Sequence, residues 1–146
     1  RLVGSEMCIR DSSNSNFFNI GNDSIDLSGS LAKLSQITSH RSGDKAVSIG
    51  EGSSVFASDI SILNSKIGFA IKDSSYLELI ESSIQDTEVG FTVFQKKLEF
   101  KPSKADIWRY SSKNVNQEFL LEEGSTIIFD GVTANPNSVE LRDELY

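Results

Sequence analysis

Four apolar pairs set the pattern of this chain: Ile25 and Leu27, Val47 and Ile49, Phe69 and Ile71, Phe91 and Val93. The members of each pair stand two apart, and each pair begins 22 residues after the last. A spacing of two puts both side chains on one face of a strand. A fixed period in the range of about 20–50 residues marks a stacked repeat. The residue before each pair is small: Ser24, Ala46, Gly68 and Gly90. Further apolar positions follow 8 residues after the first pair member (Val55, Leu77) and 15 after it (Ile62, Ile84). Each repeat thus offers three short strands with one buried face, separated by corners rich in Ser, Asp and Asn.

Three inward-facing strands per turn predict an all-β fold, a parallel β-helix solenoid of about five turns of about 22 residues. Phe18 reads as the end of an earlier turn, 7 residues before Ile25. Phe119 and Leu121 read as a fifth pair, because 121–127 (Leu-Glu-Glu-Gly-Ser-Thr-Ile) matches 49–55 (Ile-Gly-Glu-Gly-Ser-Ser-Val) in spacing. Phe91 and Phe119 are 28 residues apart, so six extra residues are expected in the Lys-rich stretch 95–104 around Pro102. The first copy is expected to lose about two residues after Leu27 and gain about three near 40–42. At the far end Ser138 is a good N-cap, and a short C-terminal helix over 138–146 is expected, with a sixth strand at 139–141 as the alternative.

Arg1 to Ser12 changes the reading of both composition and ends. Its Glu-Met-Cys-Ile-Arg-Asp-Ser, and the Arg-Leu-Val-Gly-Ser before it, resemble a translated sequencing adapter at all twelve positions. Segments 1–12 (non-native, adapter-derived), 13–134 (parallel β-helix) and 135–146 (C-terminal cap or truncated end) are the expected organisation. The Met and the Cys both fall in the first segment, so disulfides and thiolate metal sites are not expected. The charge is −7 with or without residues 1–12, since Arg1, Arg10, Glu6 and Asp11 cancel. An acidic chain without a basic stripe argues against nucleic acid. No apolar run is long enough for a membrane span. With upstream turns missing, the N-terminal end of the coil is expected to be open and prone to self-association.

Several residues are candidates for chemistry. Asn22-Asp23-Ser24 followed by Gly43-Asp44-Lys45 resembles the catalytic turns of polygalacturonase-type glycosidases, which are right-handed parallel β-helices. In that family an Asn-Thr-Asp and a later Gly-Asp-Asp motif supply aspartates that protonate the glycosidic oxygen and activate water. Asp23 and Asp44 match two of them. Lys45 replaces the third, Ile67 stands where the family has a His, and the Arg-Ile-Lys motif is missing. Hydrolysis of that kind needs an acid and a base carboxylate, so the alternative to these being catalytic is that both aspartates bond local backbone N–H groups. Asn22, Asp44, Lys66 and Glu88, three before each pair, read as a surface charge ladder. His40 reads as a solvated corner residue without a metal partner set. Phe94, Lys96, Lys97, Phe100, Trp108 and Tyr110 read as a binding surface on or beside the extra loop, suited to sugar rings and anionic groups, or else as a cover over an apolar flank.

Residues 16–134 as a whole resemble the right-handed parallel β-helix repeat proteins of secreted bacterial origin, like those beside spore-coat-H-kinase-like domains. The run at 43–51, Gly68-Phe69-Ala70-Ile71-Lys72-Asp73, and Gly90-Phe91-Thr92-Val93 carry the resemblance. It implies a right-handed coil from an extracellular or cell-surface protein. The function expected is a non-catalytic spacer or a carbohydrate- or surface-binding module, with polysaccharide or a cell-surface glycan as partner and no cofactor. The alternative is a polysaccharide hydrolase or lyase of the pectinase-like superfamily. A leucine-rich repeat is excluded, because its Leu-x-x-Leu-x-Leu frame does not recur.

Overall fold

The computed structural model describes residues 2–4 and 9–138. Its elements in chain order are β1 (Leu2–Gly4), β2 (Ile9–Ile20), β3 (Ile25–Ser28), β4 (Leu31–Ser42), β5 (Lys45–Gly50) and β6 (Ser54–Leu63). There follow β7 (Ile67–Lys72), β8 (Tyr76–Phe94), β9 (Lys104–Leu121), β10 (Thr126–Phe129) and β11 (Val132–Thr133). Each turn pairs in parallel with the next, so the chain is an all-β solenoid of about five turns, the parallel β-helix that the periodicity predicts.

Three faces make up each turn. The first face stacks β1, β3, β5, β7 and the last parts of β8 and β9. The second stacks the first halves of β4, β6, β8 and β9, and then β10. The first part of β2 extends the second face, and the third stacks the later part of β2 on the later parts of β4, β6, β8 and β9. On the first face Ile25, Val47, Phe69, Phe91 and Phe119 are in register, as are Leu27, Ile49, Ile71, Val93 and Leu121. All but the half-buried Phe119 are sealed from solvent. Phe69 and Phe91 stack with centroids 5.3 Å apart and planes 8° from parallel, as side chains of equal shape do on adjacent rungs. Val55, Leu77, Ile62 and Ile84 are buried on the other two faces, as their spacing predicts.

The small residue before each pair has a steric cause. It points inward where the third face bends into the first. A Cβ on Gly68 would lie 2.6 Å from the Gly90 carbonyl oxygen and 2.8 Å from Ile84 Cδ1, and one on Gly90 would lie 2.6 Å from the Glu118 oxygen. In the first described turn Ser24 fits because its hydroxyl bonds those of Ser39 and Ser42 inside the coil.

Two of the three corners are made by single left-handed residues. Asn14, Gln36, Asp59, Glu81 and Arg109 form one column with positive φ, and Asn19, Arg41, Asn64, Asp86 and Asn114 another. None is β-branched or aromatic, the types for which this conformation is most strained. At the remaining corner a serine ladder runs the height of the coil. The backbone N–H groups of Ser30, Ser53, Ser75 and Ser103 donate to the hydroxyls of Ser53, Ser75, Ser103 and Ser125, each one turn on, at 3.1–3.3 Å. All five serines are buried, so each bond satisfies a backbone donor that no water reaches.

Register places the irregularities. Ile25 and Val47 are 22 apart but Leu31 and Ser54 are 23 apart, and the interval returns to 22 at Lys45 and Ile67. The first copy therefore loses one residue after Leu27 and regains one between Arg41 and Lys45, a smaller slip than the two and three expected. The six extra residues fall where expected: Lys72 pairs with Phe94, but Tyr76 pairs with Lys104. After β10 the chain reverses at Asp130 and Gly131, and β11 lies antiparallel on β10. Asn137 then covers the first face, its Oδ1 accepting the Leu121 N–H at 2.7 Å and its Nδ2 donating to the Phe119 carbonyl at 3.0 Å. The helix or strand expected over 138–146 lies outside the described residues beyond Ser138, which bridges Glu122.

Phe69→Asp buries an unpaired carboxylate in the central column and should cost about 4 kcal/mol or more. Gly90→Val should be damaging through backbone collision alone. Urea unfolding checks both; a midpoint unchanged by either would contradict this packing.

Candidate functional site

Asp23, Asp44 and Lys45 do come together. The Lys45 ammonium is buried, 2.7 Å from Asp44 Oδ2 and 4.0 Å from Asp23 Oδ1. Asp23 Oδ1 also accepts the Lys45 backbone N–H at 3.1 Å. The cation occupies the place between the carboxylates, and Asp23 serves the backbone as turn aspartates do. Ile67 follows Lys45 in register and is buried with Ala70 and Val89 in a small apolar cluster on the outer side. No ion pair links Asp44, Lys66 and Glu88 among the described residues, so the charge ladder expected there gives way to the Asp44–Lys45 contact. His40 lies on β4 rather than at a corner, which Arg41 makes instead. Its ring is half-buried and meets Phe18 edge-on at 5.9 Å.

The extra loop, 95–103, folds back along the coil. The N–H groups of Lys96 and Lys97 both donate to Asp73 Oδ1 at 2.7 Å. Asp73 is fully buried and has a left-handed backbone. Gln95 N–H donates to Glu122, Lys101 N–H to the Ser74 hydroxyl, and the Lys97 ammonium pairs with Glu51 one turn below Asp73. Between strap and coil is a hollow of about 240 Å³ lined by Asp26, Ser28, Glu51, Lys72, Asp73, Lys96 and Lys97. The bond from Lys97, helped by one from Ser28, holds the Glu51 carboxyl below the usual range.

The six residues expected to form one binding surface are dispersed. Lys96 and Lys97 line the hollow under the strap. Phe94 is completely buried and Phe100 half-buried in the loop. Tyr110 lies on the third face, edge-on to Phe91, with its hydroxyl donating to Glu118. Burial first, then that carboxylate, pushes its phenol pKa well up. Trp108 lies on the outer side of the second face, four residues and about 13 Å along β9 from its start at Lys104. It is 40% exposed.

Around Trp108 the second face carries a surface that the pattern did not single out. Lys33, Phe56, Glu78 and Asp106 form one outward column in register, and Ser35, Ser58, Ile80 and Trp108 form the next. Phe56 is 39% exposed and meets Tyr76 edge-on at 6.1 Å. Over the two small serines opens a hollow of about 350 Å³, lined mainly by apolar surface from Phe56, Leu34, Ala57 and Ile80, with Lys33 and Glu78 at its margin. Burial raises the Tyr76 phenol pKa, and Glu78 and Asp106 add to the rise. The sequence holds one clue to this face: Val55-Phe56-Ala57 breaks the alternation with a large apolar residue at an outward position.

Among the described residues no cluster of His, Cys, Asp or Glu is placed to hold a metal ion, and no helix is long and apolar enough to cross a membrane. No protein-family model matches the chain, and no curated protein or solved structure matches it either.

The strap gives a pH-dependent prediction. Glu51 has a depressed pKa, so its contribution is present above the ordinary carboxylate pKa and is lost as pH falls through the depressed value. Lys97 is shifted upward by its bond to Glu51, so the pair holds through neutral pH and into the alkaline range. Proteolysis within 95–103 should therefore be faster at pH 3 than at pH 7, and Lys97→Ala should raise the rate at pH 7. Equal rates at both pH values would show that the pair does not hold the loop.

Proposed function

We propose that this chain is a non-catalytic β-helix segment of a larger exported bacterial protein, a rigid spacer whose second outer face binds carbohydrate. The observation that carries the reading is the outward set Phe56, Tyr76, Ile80 and Trp108, beside the polar Lys33, Glu78 and Asp106. Exposed apolar side chains grouped on one face of a rigid scaffold mark a contact surface. Aromatic rings supply flat apolar area for the C–H faces of a pyranose, and the carboxylates and lysine supply hydrogen bonds to its hydroxyls. The rungs repeat about every 4.8 Å, close to the advance per residue of an extended glycan. Consecutive sugars therefore meet equivalent positions on consecutive turns.

Lys45 supports the non-catalytic half of the reading. With the Lys45 ammonium beside both, Asp23 and Asp44 are not placed as an acid–base pair flanking a water. Export and surface location rest on the resemblance of residues 16–134 to secreted repeat proteins.

Calorimetry against soluble oligosaccharides tests the binding surface. Phe56→Ala and Trp108→Ala should each weaken binding by about 1–2 kcal/mol while leaving the unfolding midpoint nearly unchanged. Full affinity in both variants would remove this face from consideration. Separately, homogalacturonan should release no reducing ends in the presence of the protein; release abolished by Asp44→Asn would refute the non-catalytic reading.

A further inference from the structure

We propose that the glycan recognised by the second face carries acetamido groups, and that the hollow over Ser35 and Ser58 seats one N-acetylated sugar; this rests on the carbohydrate reading above. The outward column here runs Ser13, Ser35, Ser58, Ile80 and Trp108 on successive rungs. Its side chains change from small to large after Ser58. The neighbouring column carries Lys33, Phe56 and Glu78 on the rungs of Ser35, Ser58 and Ile80. Two small residues next to Phe56 and Ile80 thus leave a concavity of about 350 Å³, within the range of small-ligand sites. Trp108, one rung past Ile80, does not line it.

The lining selects among sugars. Phe56, Leu34, Ala57 and Ile80 make it mainly apolar, and its polar side chains are Ser35 and Ser58 with Lys33 and Glu78 at the margin. An unsubstituted glucan would turn hydroxyls toward apolar walls that return few hydrogen bonds. Either kind of charged sugar would meet one opposite and one like charge: an ammonium faces Lys33 as well as Glu78, and a uronate faces Glu78 as well as Lys33. An acetamide is a dipole and uses both. Its methyl group fills apolar space, its carbonyl oxygen accepts from Lys33, and its N–H donates to Glu78. The exposed Phe56 ring in the wall offers apolar area to the C–H groups of the same sugar.

The test uses the full chain and calorimetry with three soluble tetrasaccharides: one of N-acetylglucosamine, one of glucosamine and one of glucose. The acetylated ligand should bind about fivefold more tightly than either of the others. Ser58→Leu fills the hollow from an outward position and should abolish that preference. Ser83→Leu, outward on the third face, should leave it at full size, and thermal unfolding reports that the coil is intact in both variants. Equal affinity for the three ligands, tighter binding of the glucosamine oligomer, or a preference that survives Ser58→Leu would overturn the acetamido inference and leave carbohydrate binding standing. Binding of none would overturn both.

Discussion

Everything in this fold depends on register between successive turns. Parallel strands bond their neighbours at even intervals, and a slip of one residue would move a whole strand's buried set to the outside. Residues are therefore gained or lost between paired strands and not within them. The single residue lost after Leu27 is regained before Lys45. The six extra residues leave the coil at one corner and return to the same register. The same constraint explains the serine ladder. A hydroxyl that accepts the N–H from the turn below must recur at each turn, and Ser30, Ser53, Ser75, Ser103 and Ser125 do so.

Corner geometry also accounts for much of the acidity. Asp59, Asp73, Asp86, Asp130, Glu51 and Glu81 all take left-handed conformations, and several carboxylates accept bonds from neighbouring turns. Asp73 holds two loop N–H groups, Asp86 accepts from Asn114, and Asp130 accepts the Arg109 N–H. Many acidic residues are thus corner residues, whatever the net charge suggests about partners. Glu78 and Asp106 differ, because they stand mid-strand on an outer face where the turn geometry makes no use of them.

The buried half of the structure was legible because burial repeats. Pairs such as Phe69 and Ile71, the small position at Gly68 and the loop at 95–104 all follow from what an interior column and a tight bend require. The outer half was not, since outward positions obey no packing period. Closeness in sequence groups Trp108 with Phe94, Phe100 and Tyr110, but β9 carries Trp108 along the second face and Tyr110 around the corner at Arg109. Proximity along a strand that turns a corner is not proximity on a surface. The slip in the first copy is smaller than the spacing suggests, so the bend falls at Arg41, one residue after His40.

The most direct test of this account is a map of cross-strand nuclear Overhauser contacts in the folded protein. In-register parallel turns predict amide-to-Hα contacts linking the Val47, Phe69 and Phe91 strands on the first face. They equally predict contacts linking the Phe56, Glu78 and Asp106 strands on the second, with Hα atoms of paired residues kept apart by the rung spacing of about 4.8 Å. Short Hα–Hα contacts between these strands, or a register shifted by one residue, would contradict the coil and the outer face built on it.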